Sequence, residues 1–239
     1  MALLRRRPEY DRRRILEEAA RARARNRRRK AIALYRWVLA VERNNAELHA
    51  RIAPLLAETG QHFDAWNSYR TSAQAALREG RDERALAVYR EAAKHLPQEI
   101  QVWQGLARLL AKRGDEPGAV ETLIEGSRQF RSTFLRPQAI SLLRRARTID
   151  PWNFETVIEL TRHLARADQR EEARILLDGL AGRSRADRLR RVRSAQVRLE
   201  ASPKAAWRWL RAVLGPEQVE GPRAVVRGVV PLHARSARR

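Results

Sequence analysis

The sequence predicts an all-α chain of short helices that stack one on the next as a repeat solenoid. Three observations support this fold class. Ala and Leu dominate an apolar content of 44%, and both residues favour helices over strands. Apolar residues recur at three- and four-residue spacings, as on one face of a helix. Similar segments also recur at a fixed distance along the chain, which is typical of a repeat protein.

Three segments align without gaps at a spacing of 54 residues and open at Ala31, Ala85 and Ala139. Gly60, Gly114 and Asp168 share one turn position in this alignment, and Asn26 precedes Gly80 by the same distance. Small residues of this kind suit a left-handed turn. The alanines that open helices alternate in spacing between 34 and 20, at 31, 65, 85, 119, 139 and 173. This alternation predicts a repeating unit of three helices.

Apolar periodicity and the punctuation by Gly and Pro predict ten helices before residue 182. Their ranges are 9–25, 28–43, 46–58, 62–79, 82–95, 99–112, 116–132, 137–148, 153–166 and 170–181. Two further helices are predicted at 186–201 and from Pro203 to near Gly215. A weak Val-rich segment at 224–230 is the one piece with some strand character.

Residues 66–99 resemble a tetratricopeptide repeat (TPR), a 34-residue helix pair with small residues at the helix crossing and a closing proline. The resemblance rests on Tyr69, Ala73, Gly80, Ala85, Tyr89, Ala92 and Pro97, with Trp103 six residues beyond the proline. Residues 120–153 are similar through Ala139, Leu143, Ala146 and Pro151. Over about 10–182, the resemblance implies a right-handed superhelix of antiparallel helices that binds protein partners.

We therefore divide the chain into a basic N-terminal arm at 1–9, TPR-like repeats at 10–182, capping helices at 183–215 and a basic flexible tail at 216–239. The last two helices are expected to close the solenoid. The alternative for them is a basic amphipathic segment that meets a membrane surface or a partner groove.

The net charge of +22 is concentrated at the two ends of the chain. Residues 1–30 hold 13 Arg or Lys against four Asp or Glu, and residues 183–239 hold 15 against four. Between them the numbers are 22 and 20. Cations at a helix N-terminus oppose the helix dipole, so a phosphate or acidic partner is expected at the N-terminal end. The candidate anion-binding residues are Arg5, Arg6, Arg7, Arg12, Arg13, Arg14, Arg27, Arg28, Arg29 and Lys30.

A second candidate surface follows from the TPR resemblance, in which the first helix of each pair lines an inner face. Polar residues then share that face and would bind an extended acidic peptide, since Arg forks bind carboxylates and amides bind peptide backbone. They are Asn67, Arg70, Gln74, Arg78, Gln101, Gln104, Arg108, Lys112, Arg128, Arg131, Arg162 and Arg166. The alternative is a solvated face that binds nothing.

The sequence offers little for catalysis. It has no cysteine, and its five histidines match no zinc spacing. Neither a phosphate-binding glycine loop nor a nucleophile elbow occurs. No enzyme activity, cofactor or metal is therefore expected. Without a transmembrane stretch or a secretory signal, the expected location is cytoplasmic. The leading hypothesis is a scaffold that binds acidic protein surfaces. The second is an RNA- or ribosome-associated protein whose arginine-rich ends grip phosphates.

Overall fold

A computed structural model describes residues 10–214. Within that range the chain forms twelve α-helices and no strand. They are α1 (Arg12–Ala24), α2 (Arg28–Val41), α3 (Ala46–Glu58), α4 (His62–Arg78), α5 (Asp82–His95), α6 (Ile100–Lys112), α7 (Glu116–Ser127), α8 (Arg136–Ile149), α9 (Phe154–Arg166), α10 (Arg170–Ala181), α11 (Ala186–Glu200) and α12 (Pro203–Leu214). The Val-rich segment at 224–230, the arm at 1–9 and the tail at 216–239 lie outside the described residues.

The prediction of an all-α helical-repeat solenoid is confirmed. Each helix packs mainly against its neighbours in sequence, and some also touch the helix after next, as α9 touches α11. The apolar interior consists of two clusters that meet at Tyr89 and Ala93 on α5. An interior divided in this way is typical of a solenoid, in which a helix buries its apolar stripe only against nearby helices.

Small residues let the helices approach each other. The six alanines that open helices in the sequence alignment are all fully buried, with no exposed surface. They are Ala31, Ala65, Ala85, Ala119, Ala139 and Ala173. A methyl group fills the helix crossing without separating the two backbones, so larger residues follow one turn later, where the gap between helices widens.

Helix starts are fixed by side-chain caps at related positions. Asn45 accepts a hydrogen bond from the backbone N–H of Leu48, Glu99 from that of Gln101, and Asn153 from that of Thr156. Each satisfies a donor that the first turn of a helix leaves without a partner. The three caps precede α3, α6 and α9 and stand 54 residues apart, as do the helices that they start.

The turns after α3, α6 and α9 also follow this spacing. Gly60, Gly114 and Asp168 have positive φ angles of 78°, 82° and 61°. This left-handed conformation costs little for glycine but is strained for a residue with a Cβ atom. Two of the three turns therefore carry the residue that the backbone prefers, and Asp168 is the exception.

We expect Asp168→Gly to raise the free energy of unfolding by about 0.5–1 kcal/mol because it removes the strain at φ 61°. The ion pair that is lost, to Arg170 at 3.5 Å, has a fully solvated carboxylate and contributes little. Urea unfolding followed by circular dichroism measures the change. The control is the neighbouring Ala167→Gly, where φ is −96° and glycine should destabilise. A fall in stability for Asp168→Gly would contradict the prediction.

The predicted range of one helix was wrong. The range 116–132 overestimates α7, which ends at Ser127. The Ser127 hydroxyl donates to the carbonyl of Ile124 at 2.7 Å, and Gly126 adds little helix preference. Phe130 then turns into the core with 1% of its surface exposed. Burial of this ring favours the irregular segment 128–135 over two more helical turns.

Candidate binding surfaces

An aromatic and amide cluster joins α4, α5 and α6, with Trp66 buried, Tyr89 half-buried and Gln101 exposed. The Trp66 indole N–H donates to the side-chain oxygen of Gln101 at 3.1 Å. The rings of Trp66 and Tyr89 lie 6.3 Å apart at a tilt of 47°. With Arg70 and Arg108, these residues form what we call the central patch. Its rigid rings and fixed amide are features of protein-binding surfaces.

Gly105 on α6 makes room for the Tyr89 ring. A Cβ atom at this position would lie 2.4 Å from Cε1 of Tyr89, closer than any real contact allows. The missing side chain therefore lets the ring lie flat against α6. Gly105 was not among the predicted site residues. In a sequence, a glycine within a helix indicates a weak helix former and does not show that an aromatic ring packs against it.

Two positive charges flank the ring. Burial raises the pKa of the Tyr89 hydroxyl, while Arg108 and Arg70 act in the opposite direction. Arg70 lies on α4 and Arg108 on α6. Both are exposed, and Arg70 also donates to the side-chain oxygen of Asn67 at 3.0 Å. The patch thus combines apolar surface with two exposed cations.

The other predicted peptide-binding residues are spread over several elements, from α4 to α9. Gln74 and Arg78 are exposed on α4, Gln104 is half-buried on α6, and Lys112 forms an ion pair with Asp82 at 3.2 Å. Arg128 and Arg131 follow α7, and Arg128 lines a separate groove whose walls also carry Glu121 and Glu125.

Arg162 and Arg166 lie in a groove between α9 and α11, about 100 residues beyond the start of the central patch in sequence. The groove has a volume of about 510 Å³. We call it the arginine groove and define it by five lining residues, which are Arg162, Arg166, Arg190, Arg191 and Arg198. Apolar side chains, including Ile158, Leu177 and Leu199, line the rest of it.

Three of the five arginines have carboxylate partners. Arg162 pairs with Glu159 at 2.8 Å, Arg190 with Asp187 at 3.1 Å and Arg191 with Glu155 at 2.8 Å. Arg166 and Arg198 form no ion pair with any carboxylate in residues 10–214. The groove therefore carries a surplus of positive charge.

Sequence reasoning did not name Arg190, Arg191 and Arg198, although it kept a basic amphipathic segment that meets a partner groove as the alternative to a cap. The pattern that could have identified them is a basic residue at 190 or 191 and another at 198, a spacing that puts them on one face of a helix. Only the packing of α11 beside α9 shows that this face meets Arg162 and Arg166.

The N-terminal candidates are partly neutralised by nearby acids. Arg12 pairs with Glu42 at 2.5 Å, Arg13 with Glu17 at 3.1 Å, Arg28 with Glu58 at 2.6 Å and Lys30 with Glu18 at 2.6 Å. The hydrogen bond from Lys30 holds the pKa of Glu18 below its ordinary value. Arg14 and Arg27 line a groove of about 360 Å³ together with Glu17 and Glu18, and Arg29 is exposed. Arg5, Arg6 and Arg7 lie outside the described residues.

Among residues 10–214, no cluster of three or more His, Asp or Glu side chains is arranged to hold a metal ion. In the same part of the chain, no helix combines the length and the apolar character needed to cross a membrane.

A family model matches the segment that contains the central patch. Residues 66–109 match the tetratricopeptide repeat. This segment is therefore similar to a TPR. The resemblance inferred from Tyr69 to Trp103 is confirmed for this segment, which holds Trp66, Arg70, Tyr89, Gln101 and Arg108.

Similarity to solved structures is broad but distant. A protein of nearly identical TPR-like repeats from Podosopora anserina is 19% identical, covers 80% of this chain and 97% of its own, and has a TM-score of 0.37. PilF of Pseudomonas aeruginosa is 14% identical over 84% of this chain and 88% of its own, with a TM-score of 0.29. YrrB, a TPR protein with an unusual peptide-binding site, is 12% identical over 81% and 88%, with a TM-score of 0.27. No curated protein matches the sequence significantly.

Proposed function

We propose that this protein is a non-enzymatic TPR scaffold that holds an acidic segment of a protein partner on its central patch. One observation carries the proposal. The TPR segment brings a half-buried phenol, an exposed amide and two exposed guanidiniums from three helices together beside the buried indole of Trp66. Such a surface offers a partner both apolar contact and charge.

Each group in the patch has a role that suits an acidic peptide. The half-buried ring of Tyr89 provides contact area at a low entropic cost, since few bonds must be fixed on binding, and the buried ring of Trp66 packs beside it. Gln101 keeps its side-chain N–H₂ available, because its oxygen already accepts from Trp66. Arg70 and Arg108 can each bind a carboxylate through two parallel N–H groups.

An RNA- or ribosome-associated role remains the second candidate, and the high charge of residues 1–30 is the observation that favours it. Four of the candidate phosphate-binding residues are already paired with acids. A phosphate would have to displace those carboxylates, so its binding would gain less free energy. The central patch has no comparable acidic partners for Arg70 and Arg108 among the described residues. We therefore favour the protein-binding role.

We expect Arg70→Glu/Arg108→Glu to abolish capture of the partner without loss of folding, because both side chains are exposed and charge reversal repels an acidic ligand. The measurement is affinity capture from native lysate, with and without nuclease, followed by mass spectrometry. Arg51→Glu/Arg145→Glu is the matched control, since both residues are exposed on other helices. Equal loss in both variants would count against the central patch. Capture that nuclease eliminates would favour the RNA role.

We also propose that three helices and 54 residues form the repeating unit. Helix starts, caps and positive-φ turns support it, as does a contact between the paired helices of each unit. Arg28 pairs with Glu58, and Asp82 pairs with Lys112 at the equivalent positions with the charges exchanged. In the third unit Arg136 instead donates to the backbone carbonyl of Arg166 at 2.6 Å.

This unit has a consequence for function, because the central patch occurs only once. The positions equivalent to Trp66 and Tyr89 in the next unit are Val120 and Leu143, and Gln101 is replaced by Glu155. Under this proposal the central patch binds one acidic segment of the partner, and the next unit does not repeat that site.

A further inference from the structure

We propose that the arginine groove binds a phosphate group on a phosphorylated serine or threonine of the protein partner. The inference rests on the proposed function for the existence of a protein partner, but it concerns a different surface from the central patch. Neither the TPR match at 66–109 nor the sequence patterns assign a phosphate to this groove.

The uncompensated positive charge of the groove lies at one of its ends. Helices α9 and α11 touch each other and are separated in sequence by α10. With short turns between consecutive antiparallel helices, α9 and α11 run in the same direction. Arg191 reaches Glu155 near the start of α9 at 2.8 Å. Arg198 lies seven residues further along α11, and Arg162 seven residues further along α9. Arg162 and Arg198 are therefore level with each other at one end of the groove, and Arg166 lies about one turn further along α9.

Only some of these arginines have a carboxylate partner. Glu159 pairs with Arg162 at this end. In the two preceding units, the position of Arg166 forms an ion pair with an opposite charge, as Glu58 does with Arg28 and Lys112 does with Asp82. In the third unit both positions are arginine, and Arg136 binds the carbonyl of Arg166 rather than its side chain. Arg166 thus lines the groove with no carboxylate partner among residues 10–214, unlike Lys112, its equivalent in the preceding unit.

A phosphate monoester suits Arg166 and Arg198 better than a carboxylate does. A carboxylate carries one negative charge, so it compensates only one of Arg166 and Arg198. A phosphate monoester carries between one and a half and two charges at pH 7 and has three acceptor oxygens, so it can accept from both forks at once. Ile158, Leu177 and Leu199 offer apolar contact for the peptide beside it.

The lining of the groove argues against single-stranded nucleic acid as the ligand. Recognition of unpaired bases uses aromatic rings on which the bases stack. No aromatic residue lines the groove within the described residues, and the indole N–H of nearby Trp209 is already donated to Ser194 at 2.9 Å. A phosphorylated side chain needs no such ring, because the guanidiniums and the apolar wall suffice.

The test uses the full chain and three fluorescent peptide libraries of random flanking sequence. Their central residue is phosphoserine, glutamate or serine. Binding is measured by fluorescence anisotropy at fixed ionic strength. We expect the phosphoserine library to bind at least about ten-fold more tightly than the other two, and we expect Arg166→Gln/Arg198→Gln to remove that preference. A variant with Arg166→Lys/Arg198→Lys should retain part of it, because the charge stays while the forks are lost.

Two controls keep the outcomes distinct. Arg51→Gln/Arg145→Gln removes the same charge from other helices and should preserve the preference for phosphoserine. Circular dichroism melting of each variant reports whether it folds. Equal affinity for the three libraries, or equal loss in the control variant, overturns the proposal. Tighter binding of a twelve-nucleotide uridine oligomer with the same dependence on Arg166 and Arg198 overturns it as well and assigns the groove to RNA.

Failure here is separable from failure of the proposed function. Arg70→Glu/Arg108→Glu should lose partner capture yet keep the phosphoserine preference, since the central patch lies on α4, α5 and α6. Intact partner capture with no phosphoserine preference would contradict the phosphate site alone.

Discussion

Gly126→Leu should lower the free energy of unfolding by about 3 kcal/mol, the upper end for inserting atoms into a packed interior. Gly126 lies on α7 against the ring of Trp103, and a Cβ atom there would be 2.6 Å from Cγ of that ring. Trp103 has little freedom to move, because only 4% of its surface is exposed and its indole N–H donates to the carbonyl of Pro97 at 2.9 Å. The helices must separate to admit the new side chain.

Thermal unfolding followed by circular dichroism measures this effect, with an expected fall in Tm of roughly 10 °C. Gly182→Leu is the matched control, since its φ is −64° and a Cβ atom there meets nothing closer than 3.8 Å. The double variant Trp103→Leu/Gly126→Leu should lose less free energy of unfolding than its two single variants lose together, by over about 1 kcal/mol. The reason is that leucine at position 103 leaves room for the side chain introduced at position 126. Strict additivity would show that the ring does not cause the loss.

Truncation after Gly182 should have an even larger effect, because it removes the two helices that cover the end of the solenoid. Val192 on α11 is fully buried in the second apolar cluster of the chain, and Leu189, Ala195 and Leu199 pack against the same cluster. If burial of each of these four side chains contributes about 1–1.5 kcal/mol, truncation lowers the free energy of unfolding by about 5 kcal/mol. Leu177 and Ile158 would then face water.

The expected result is a lower Tm, binding of a hydrophobic dye and loss of the monodisperse species in size-exclusion chromatography with light scattering. Truncation after Leu214 is the control. It removes residues 215–239 and leaves α11 and α12 in place, so its Tm should match that of the full chain. An unchanged Tm after truncation at Gly182 would contradict a capping role for α11 and α12. It would instead favour the alternative in which this segment serves a membrane surface or a partner.

The fold could be predicted from sequence because its determinants are local. Ala31, Ala85 and Ala139 mark helix crossings through their size alone, and Gly60 and Gly114 mark turns through a backbone preference that depends on no other residue. The exception, 116–132, shows the limit of local reasoning. Helix periodicity continues past Ser127, but burial of Phe130 ends the helix, and burial depends on neighbours that are distant in sequence.

The candidate sites were harder to predict because they combine residues from several helices. The sequence identified Arg70, Gln101 and Arg108 through their spacing on helix faces. It did not identify Trp66 and Tyr89 as members of the same surface, since both looked like repeat packing residues. Nor did it separate Arg128, which lines a groove with Glu121 and Glu125, from Arg162 and Arg166, which line the arginine groove.

The sequence by itself determined the class of protein. Periodicity, small residues at the crossings and glycine at the turns act within one or two helical turns, so they can be recognised without coordinates. Only the tertiary structure decided which charges are compensated and which surfaces they share. Whether a carboxylate compensates the charge of an arginine depends on the residues that the neighbouring helices place beside it. That is why Arg28 pairs with Glu58, whereas Arg166, at the position equivalent to Glu58, faces Arg198 across a groove.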